Sequence, residues 1–384
     1  MKKICVVIHS RANYARVKSV LVQLKKNPDC KLSVIVGASG LLFKYGNVAE
    51  VIEKDGFEIS HKVFAALEGN DPVIMAKTTG LLMIELSQVF YTIKPDLVVT
   101  IADRHETLAT AAAASYMNIP VCHIQGGELT GSIDDSVRHA ITKLSHIHCV
   151  STQKAFEIVS QLGEDPKTIF LTGCPALDLV KQTAPEHFSK ILSRYFNPTM
   201  IQNFKKDFLL VLQHPNTLFH EQARIETEEL LSAIVKVNIP TIWLWPNIDS
   251  GTDLISKRLR EFINTAQNSK IIFCRNFKPE EYINLMRQSL CIVGNSSSGI
   301  REASLIGLPT VNVGSRQQNR EVGPNVISVK FDSEQIYNST VRQINHGKYP
   351  SSNLYGDGES GSKIAEIIMQ TQKVVHKEFV FWKK

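Results

Sequence analysis

A chain of 384 residues, 43% hydrophobic and 21% charged, exceeds one ordinary core and has the composition of a soluble globular protein, so two domains are expected. Lysine and arginine number 43 against 37 aspartates and glutamates, a net charge of +6, and the basic residues are spread along the chain. Without a basic block, the excess speaks against a nucleic-acid surface and suits anionic small molecules.

Taken in order, the residues read as alternating strands and helices. Lys3 to His9 is apolar throughout, as a strand covered on both faces would be. Ser10-Arg11-Ala12-Asn13 forms the next loop, and a helix runs from Tyr14 to about Lys26. Arg11 thereby stands at the carboxyl end of a strand, where open α/β sheets bind ligands, although a solvated surface arginine fits the position equally. Lys31 to Val36 and Ile59 to Phe64 are further strands, separated by a glycine-punctuated loop and a short helix. Asp71 to Ile93 carries a long helical period that Lys94-Pro95 ends. Asp96 to Ile101 is strongly β-prone; Ala102-Asp103-Arg104-His105-Glu106 follows it, then an alanine-rich helix to about Met117. Pro120 to Gln125 is another strand, opening into Gly126 to Asp135 and a helix from Ser136 to Leu144 that carries Arg138 and His139. Ile147 to Val150, a helix and Ile169 to Thr172 complete this half.

Residues Gln182 to Lys206, with Pro185 and Pro198, read as an interdomain connection. A second α/β unit restarts at Asp207 to Gln213 and continues through His214-Pro215-Asn216, a long helix, Thr241 to Trp245, Pro246 to Gly251 and Lys270 to Cys274. Phe277 to Glu281 opens another helix, Tyr355 to Gly358 is a tight turn, and the last helix, Ser360 to His376, packs back on the first domain. The expected fold is therefore α/β, with Rossmann-like parallel-sheet domains at 1–182 and 207–358, a terminal helix in 359–384, and a ligand cleft between the domains. Seven cysteines show no CxxC pair, and Cys5, Cys149 and Cys291 lie in apolar runs as reduced buried thiols. The start, MKKICVVIHSRANY, has too short an apolar run for a signal peptide, and no apolar run approaches the roughly 20 residues that span a bilayer. A cytoplasmic protein with no membrane partner is expected.

The stretch Leu290 to Glu321 carries the sharpest signal. A short apolar strand feeds Gly294-Asn295-Ser296-Ser297-Ser298-Gly299, and a helix from Ile300 stops at Gly307. Free backbone N–H groups, hydroxyl donors and the positive dipole end suit an anion, and the glycines let a ligand approach the backbone. Arg316 and Arg320 are placed to fold over the same loop as phosphate ligands, and Glu302 to accept from ribose hydroxyls. Elsewhere, polar residues follow strands in four clusters: Arg11; Asp103 with Arg104; Glu128 with Asp134 and Asp135; and His214 with Asn247. Carboxylates from separate strand ends serve as general acid and base. Asp103 and Asp134 also suit plain helix starts, and His214 a hydrogen-bonded loop. No close His/Cys pattern suggests a metal.

The combination resembles the hydrolysing UDP-N-acetylglucosamine 2-epimerases of sialic acid biosynthesis. The motifs that carry it are Arg11-Ala12-Asn13-Tyr14, Asp103-Arg104, GGELTGSIDDSVRHAITKLSH (Gly126 to His146), Gln213-His214-Pro215, PNIDSG (Pro246 to Gly251), GNSSSGIRE (Gly294 to Glu302) and NVGSRQQNRE (Asn312 to Glu321). The resemblance covers nearly the whole chain. It implies two Rossmann-like domains arranged as in one large glycosyltransferase class (GT-B), a dimer or tetramer of identical chains, and a reaction without metal or nicotinamide cofactor. It places Ser296 and Ser297 at phosphate, Glu302 at ribose and Arg316 at UDP. Arg11, Arg104, His214 and Asn247 line the sugar and diphosphate. Asp103 and Asp134 match two of three catalytic carboxylates. The third position, a glutamate in the family, is Gln125, so Glu128 takes over or a related substrate divides the labour differently. Ala102 replaces the family's usual glycine. The implied reaction converts UDP-N-acetylglucosamine to N-acetylmannosamine and UDP. UDP-N,N′-diacetylbacillosamine is the alternative substrate, and a UDP-sugar glycosyltransferase or a sensor without catalysis are the competing functions.

Overall fold

A computed structural model describes every residue except 44–46, 68–71, 132, 217–219, 247–250, 266–269, 373–375 and 382–384, and all of His220 but its side chain. The chain divides into two compact units. Unit 1 comprises Met1–Leu129, Ile133–Asp178 and Gly356–Lys384; unit 2 comprises Thr130–Ser132 and Leu179–Tyr355.

Unit 1 is built on seven parallel strands: β1 (Lys2–Ile8), β2 (Cys30–Gly37), β3 (Ile59–Val63), β4 (Leu97–Ile101), β5 (Val121–Ile124), β6 (Ile147–Val150) and β7 (Ile169–Leu171). Their order is β3-β2-β1-β4-β5-β6-β7, so the winding reverses between β1 and β4. In doubly wound sheets ligands collect outside the carboxyl ends of the strands at such a reversal. β4 and β5 are buried along their whole length because helices cover both faces, which is why their sequences are apolar without alternation. One face carries Val20, Leu21 and Leu24 of the helix Lys18–Lys26 together with Ile364 and Ile368 of the helix Ser360–Gln370. The last helix is thus part of unit 1, anchored by Asp178, which accepts from the N–H groups of Ser360 (2.9 Å) and Gly361 (2.6 Å). The other face carries Leu82, Leu86 and Phe90 of the helix Pro72–Ile93 and the alanines of His105–Tyr116.

Unit 2 holds β8 (Leu209–Leu212), β9 (Thr241–Leu244), β10 (Ile271–Cys274), β11 (Cys291–Gly294), β12 (Thr310–Val313) and β13 (Val326–Val329), all parallel. Their order, β10-β9-β8-β11-β12-β13, again reverses between the first strand and the fourth.

Four sequence expectations change. The stretch read as a connection, 182–206, forms the helices Phe188–Leu192 and Pro198–Ile201 within unit 2. Phe188, Ile191 and Leu192 are buried, Asn284 donates to the Ala184 carbonyl (2.9 Å), and Arg194 pairs with Glu281 (2.6 Å). The expected helix from Tyr14 is two helices, Arg11–Ala15 and Lys18–Lys26, and the Ser10 hydroxyl accepting from Asn13 N–H (3.2 Å) draws the start back to Arg11. β12, β13 and the helix Ser333–His346 were not anticipated; strands of four residues are too short to display a period. Finally, Pro72–Ile93 is long and apolar enough, by length and composition, to cross a membrane, contrary to the reading that no such run exists. In the fold, its Thr78, Leu82, Leu86 and Phe90 face the core of unit 1.

Candidate active site

In unit 2 the loop after β11 is shaped by one glycine. Gly294 has φ of 136°, and a Cβ there would lie 1.9 Å from the Leu212 carbonyl oxygen, so no side chain fits. Asn295 then clamps two strand ends together: its Oδ1 accepts from His214 N–H and its Nδ2 donates to the His214 carbonyl, both at 2.7 Å. His214, just past β8, is thereby held beside the serine loop. Ser296 and Ser298 hydroxyls lie 3.0 Å apart, and the Tyr282 hydroxyl is 2.8 Å from Ser298. Burial, together with the nearby Glu302 charge, pushes the Tyr282 phenol up, against the opposing Ser298 bond, so it stays neutral.

The expected helix from Ile300 is instead a single 3₁₀ turn, Ser297–Gly299, followed by the short helix Glu302–Ile306, with Glu302 in its first turn. Ser296, Ser297 and Glu302 are half-buried. Arg316 Nη1 (3.1 Å) and Gln317 Nε2 (3.2 Å) both donate to the Asn295 carbonyl, and Arg320 Nε donates to Gln317 Oε1 (2.6 Å). The arginine loop thus does fold onto the serine loop, through a carbonyl that no local pattern identifies. Asn216 Nδ2 reaches Ser315 Oγ (3.1 Å) and the Gly131 carbonyl (3.5 Å). Asn247 lies outside the described residues.

In unit 1 the corresponding strand ends carry carboxylates and arginines. Ala102 (φ 66°) and Gln125 (φ 68°) follow β4 and β5 in a left-handed conformation costly for side-chain-bearing residues. Ala102 is tied down on both sides: its N–H donates to the Ile124 carbonyl (2.9 Å) and its own carbonyl is 2.8 Å from His123 Nε2. Burial lowers the His123 pKa to about 3, which keeps the ring neutral. Asp103, next in the chain, is not the cap residue of His105–Tyr116, which is Arg104. The Asp103 carboxylate is held by the guanidinium of Arg138, which also binds Asp135 Oδ1 (2.9 Å) and the Glu128 carbonyl. Burial works against the Arg138 charge, but Asp103 and Glu128 outweigh it, so this fully buried arginine stays charged.

Arg104 Nε is 3.1 Å from Glu106 Oε2. Burial raises the Glu106 pKa, yet Arg104 and His105 bring it down to about 2. Glu128 is buried, and Asp134 is half-buried at the start of the helix Asp134–Leu144. Arg11 is half-buried at the start of its own short helix. Gln125 is buried, its Nε2 donates to Cys174 Sγ (2.8 Å), and its Oε1 has no hydrogen-bond partner among the described residues. Among the described residues no three His, Cys, Asp or Glu side chains gather as a metal site would require.

Three residues of these clusters escaped the reading of site residues. Arg138 stands three residues after Asp135, on one helix face with it, and that spacing was the available signal. Cys174 gave none, and Gln213 appeared only within the motif Gln213-His214-Pro215; beside His214 it is fully buried, with neither amide atom hydrogen-bonded among the described residues.

The family model for UDP-N-acetylglucosamine 2-epimerase matches residues 22–369. A UDP-N,N′-diacetylbacillosamine 2-epimerase (hydrolyzing) from Legionella pneumophila is 34% identical over 369 residues, covering 96% of each chain. A UDP-N-acetylglucosamine 2-epimerase from Neisseria meningitidis is 29% identical, covering 96% of this chain and 95% of that one. The crystal structure of the Methanocaldococcus jannaschii UDP-GlcNAc 2-epimerase in complex with UDP-GlcNAc and UDP superposes with a TM-score of 0.80 at 18% identity, over 96% of this chain and all of that one.

Proposed function

The chain belongs to the UDP-N-acetylglucosamine 2-epimerase family, and from that premise we propose that it is a hydrolysing 2-epimerase releasing N-acetylmannosamine and UDP from UDP-N-acetylglucosamine, as a supply for sialic acid synthesis. While UDP is attached, C2–H has no carbonyl beside it and is not acidic, so the nucleotide leaves first. UDP takes the electron pair of the C1–O bond, and the positive charge left at C1 acidifies C2–H. A carboxylate, Asp103 or Asp134, removes that proton to leave a 2-acetamidoglucal. Water then adds its hydroxyl to C1, and a proton returns to C2 on the opposite face. Ser296, Ser297 and Arg316 stabilise the charge growing on the diphosphate, Glu302 accepts from the ribose, and Arg11, Arg104, His214 and Asn247 line the sugar and diphosphate. Gln125 cannot exchange a proton, so Glu128 is the remaining carboxyl at that place.

The observation that supports this acid–base assignment most is the Asp103–Arg138 pair: the carboxylate follows a strand end and is held by a buried cation. Seven free thiols suit a reducing, cytoplasmic compartment. UDP-N,N′-diacetylbacillosamine is the second reading, favoured by the Legionella relative's higher identity. Incubation with each UDP-sugar in deuterated buffer, followed by proton NMR, tests both. Release of the 2-epimeric free hexosamine with deuterium at C2 is expected. Unlabelled C2, or UDP-sugar returned intact in its epimeric form, would refute the hydrolysing route.

A further inference from the structure

We propose that Tyr282 is a positioning residue for the nucleotide leaving group: it fixes the direction of a hydroxyl chain, Tyr282 to Ser298 to Ser296, so that the Ser296 hydroxyl can only donate outward. The inference rests on the reading above that Ser296 meets the diphosphate of a UDP-sugar. Tyr282 belongs to the helix Pro279–Gln288, which is anchored in unit 2 by the buried Ile283, Leu285 and Met286. Its phenol oxygen lies 2.8 Å from Ser298 Oγ, and Ser298 Oγ lies 3.0 Å from Ser296 Oγ. Ser298 is buried, whereas Ser296 is half-buried at the ligand end of the chain.

Three hydroxyls in a row carry three protons but make only two bonds among themselves, so one proton is left over at an end. Were the chain to run from Ser296 to Tyr282, the spare proton would be the phenol's. That oxygen makes no other hydrogen bond with a described residue, and a desolvated donor left unpaired is the costly arrangement. In the opposite direction the phenol, the most acidic of the three hydroxyls, donates to Ser298, and Ser298 donates to Ser296. The spare proton is then that of Ser296. The Ser298 N–H is also 3.4 Å from Ser296 Oγ, so both lone pairs of that oxygen are taken and its proton is all it has left to offer. Burial and the Glu302 charge hold the phenol above its ordinary range against the Ser298 bond, so the first proton of the chain stays in place. A hydroxyl confined to donating suits an anion, and best one whose charge grows as the C1–O bond breaks. The same serine with a lone pair turned outward would repel it.

Calorimetric titration of UDP into the full chain and its variants tests the hydroxyl chain. Tyr282→Phe keeps the ring and removes the first donor, and UDP affinity should fall about 3- to 10-fold. Ser296→Ala should lower it about tenfold or more, because a bond to a charged group is lost. In the Ser296→Ala background Tyr282→Phe should add nothing, since no outward hydroxyl is left to orient. A merely structural tyrosine would cost the same in either background. Ser298→Ala breaks the middle link and should reproduce both the loss and its absence in the Ser296→Ala background, so the test does not hang on one variant. Thermal melts by circular dichroism verify folding of each. Additive losses, or Tyr282→Phe binding UDP as tightly as wild type while Ser296→Ala binds it weakly, would overturn the proposal and leave the nucleotide site standing. Wild type without affinity for UDP, or Ser296→Ala with undiminished affinity, would overturn the placement of the diphosphate and the proposal with it.

Discussion

Arg138 joins three parts of unit 1 through a single guanidinium: the end of β4 at Asp103, the loop carbonyl of Glu128, and its own helix at Asp135. Replacing it with Met leaves the half-buried carboxylates of Asp103 and Asp135 without their cation. A loss of about 1–3 kcal/mol is expected in urea unfolding, above the ordinary cost of a surface change. Asp103→Asn keeps the shape while removing the proton acceptor and one of the negative charges around Arg138. Turnover should fall about 10²- to 10⁴-fold while UDP affinity by calorimetry stays within about twofold. Asp134→Asn, at the helix start, should behave alike; unchanged turnover in both would remove the carboxylate assignment. Arg316→Ala probes the other unit: loss of a charge-assisted bond to the diphosphate should weaken UDP binding by about 1.5–3 kcal/mol. These residues were legible as types in a place. Their partners were not, because Asp103 and Arg138 are 35 positions apart and meet only when β4 and the helix Asp134–Leu144 share a sheet edge.

At the scale of elements, β11 and its loop depend on a backbone that only glycine adopts. Gly294→Ala places a methyl against the Leu212 carbonyl at a left-handed φ, so the loop must shift away from β8. Destabilisation by more than about 2 kcal/mol, with UDP binding reduced in whatever folds, is expected from denaturation and calorimetry together. Full retention of both would mean that the loop tolerates another path. Glycine at a strand end ahead of serines announced such a loop from sequence alone. The clamp by Asn295 did not announce itself, since the residue looks like any loop asparagine until β8 is seen beside β11. The same holds for residues 182–206, whose prolines suggest a linker while Phe188, Ile191 and Leu192 are buried in unit 2.

Over the whole molecule, stability divides between two sheets, and the described residues of unit 1 include three fully buried histidines whose pKa burial lowers, His9, His123 and His148. Burial lowers the pKa of His9 to about 4 and of His123 to about 3, against 6.5 for an ordinary histidine. Folded pKa values below the unfolded ones mean that the native state binds fewer protons in between. Their contribution is therefore complete above pH 6.5 and is lost as pH falls toward 4 and 3. Each histidine should cost about 1.4 kcal/mol per pH unit across its window. Urea midpoints measured at pH 7.5 and 5 should show the decline, and His9→Gln should flatten it in part. An equal slope in the variant would place the proton uptake elsewhere.

By itself the sequence determined the class of fold, because apolar runs without alternation that are punctuated by helical periods can be satisfied only by parallel sheets covered on both faces. It also determined where glycine and serine would shape a loop, since those preferences are local to a few bonds. Only the tertiary structure decided which carboxylate lies beside which cation, that a proline-bearing stretch is packed rather than spanning, and which side of the helix Pro72–Ile93 is left uncovered. Those outcomes are set by strand order, and strand order brings together residues that no local pattern relates.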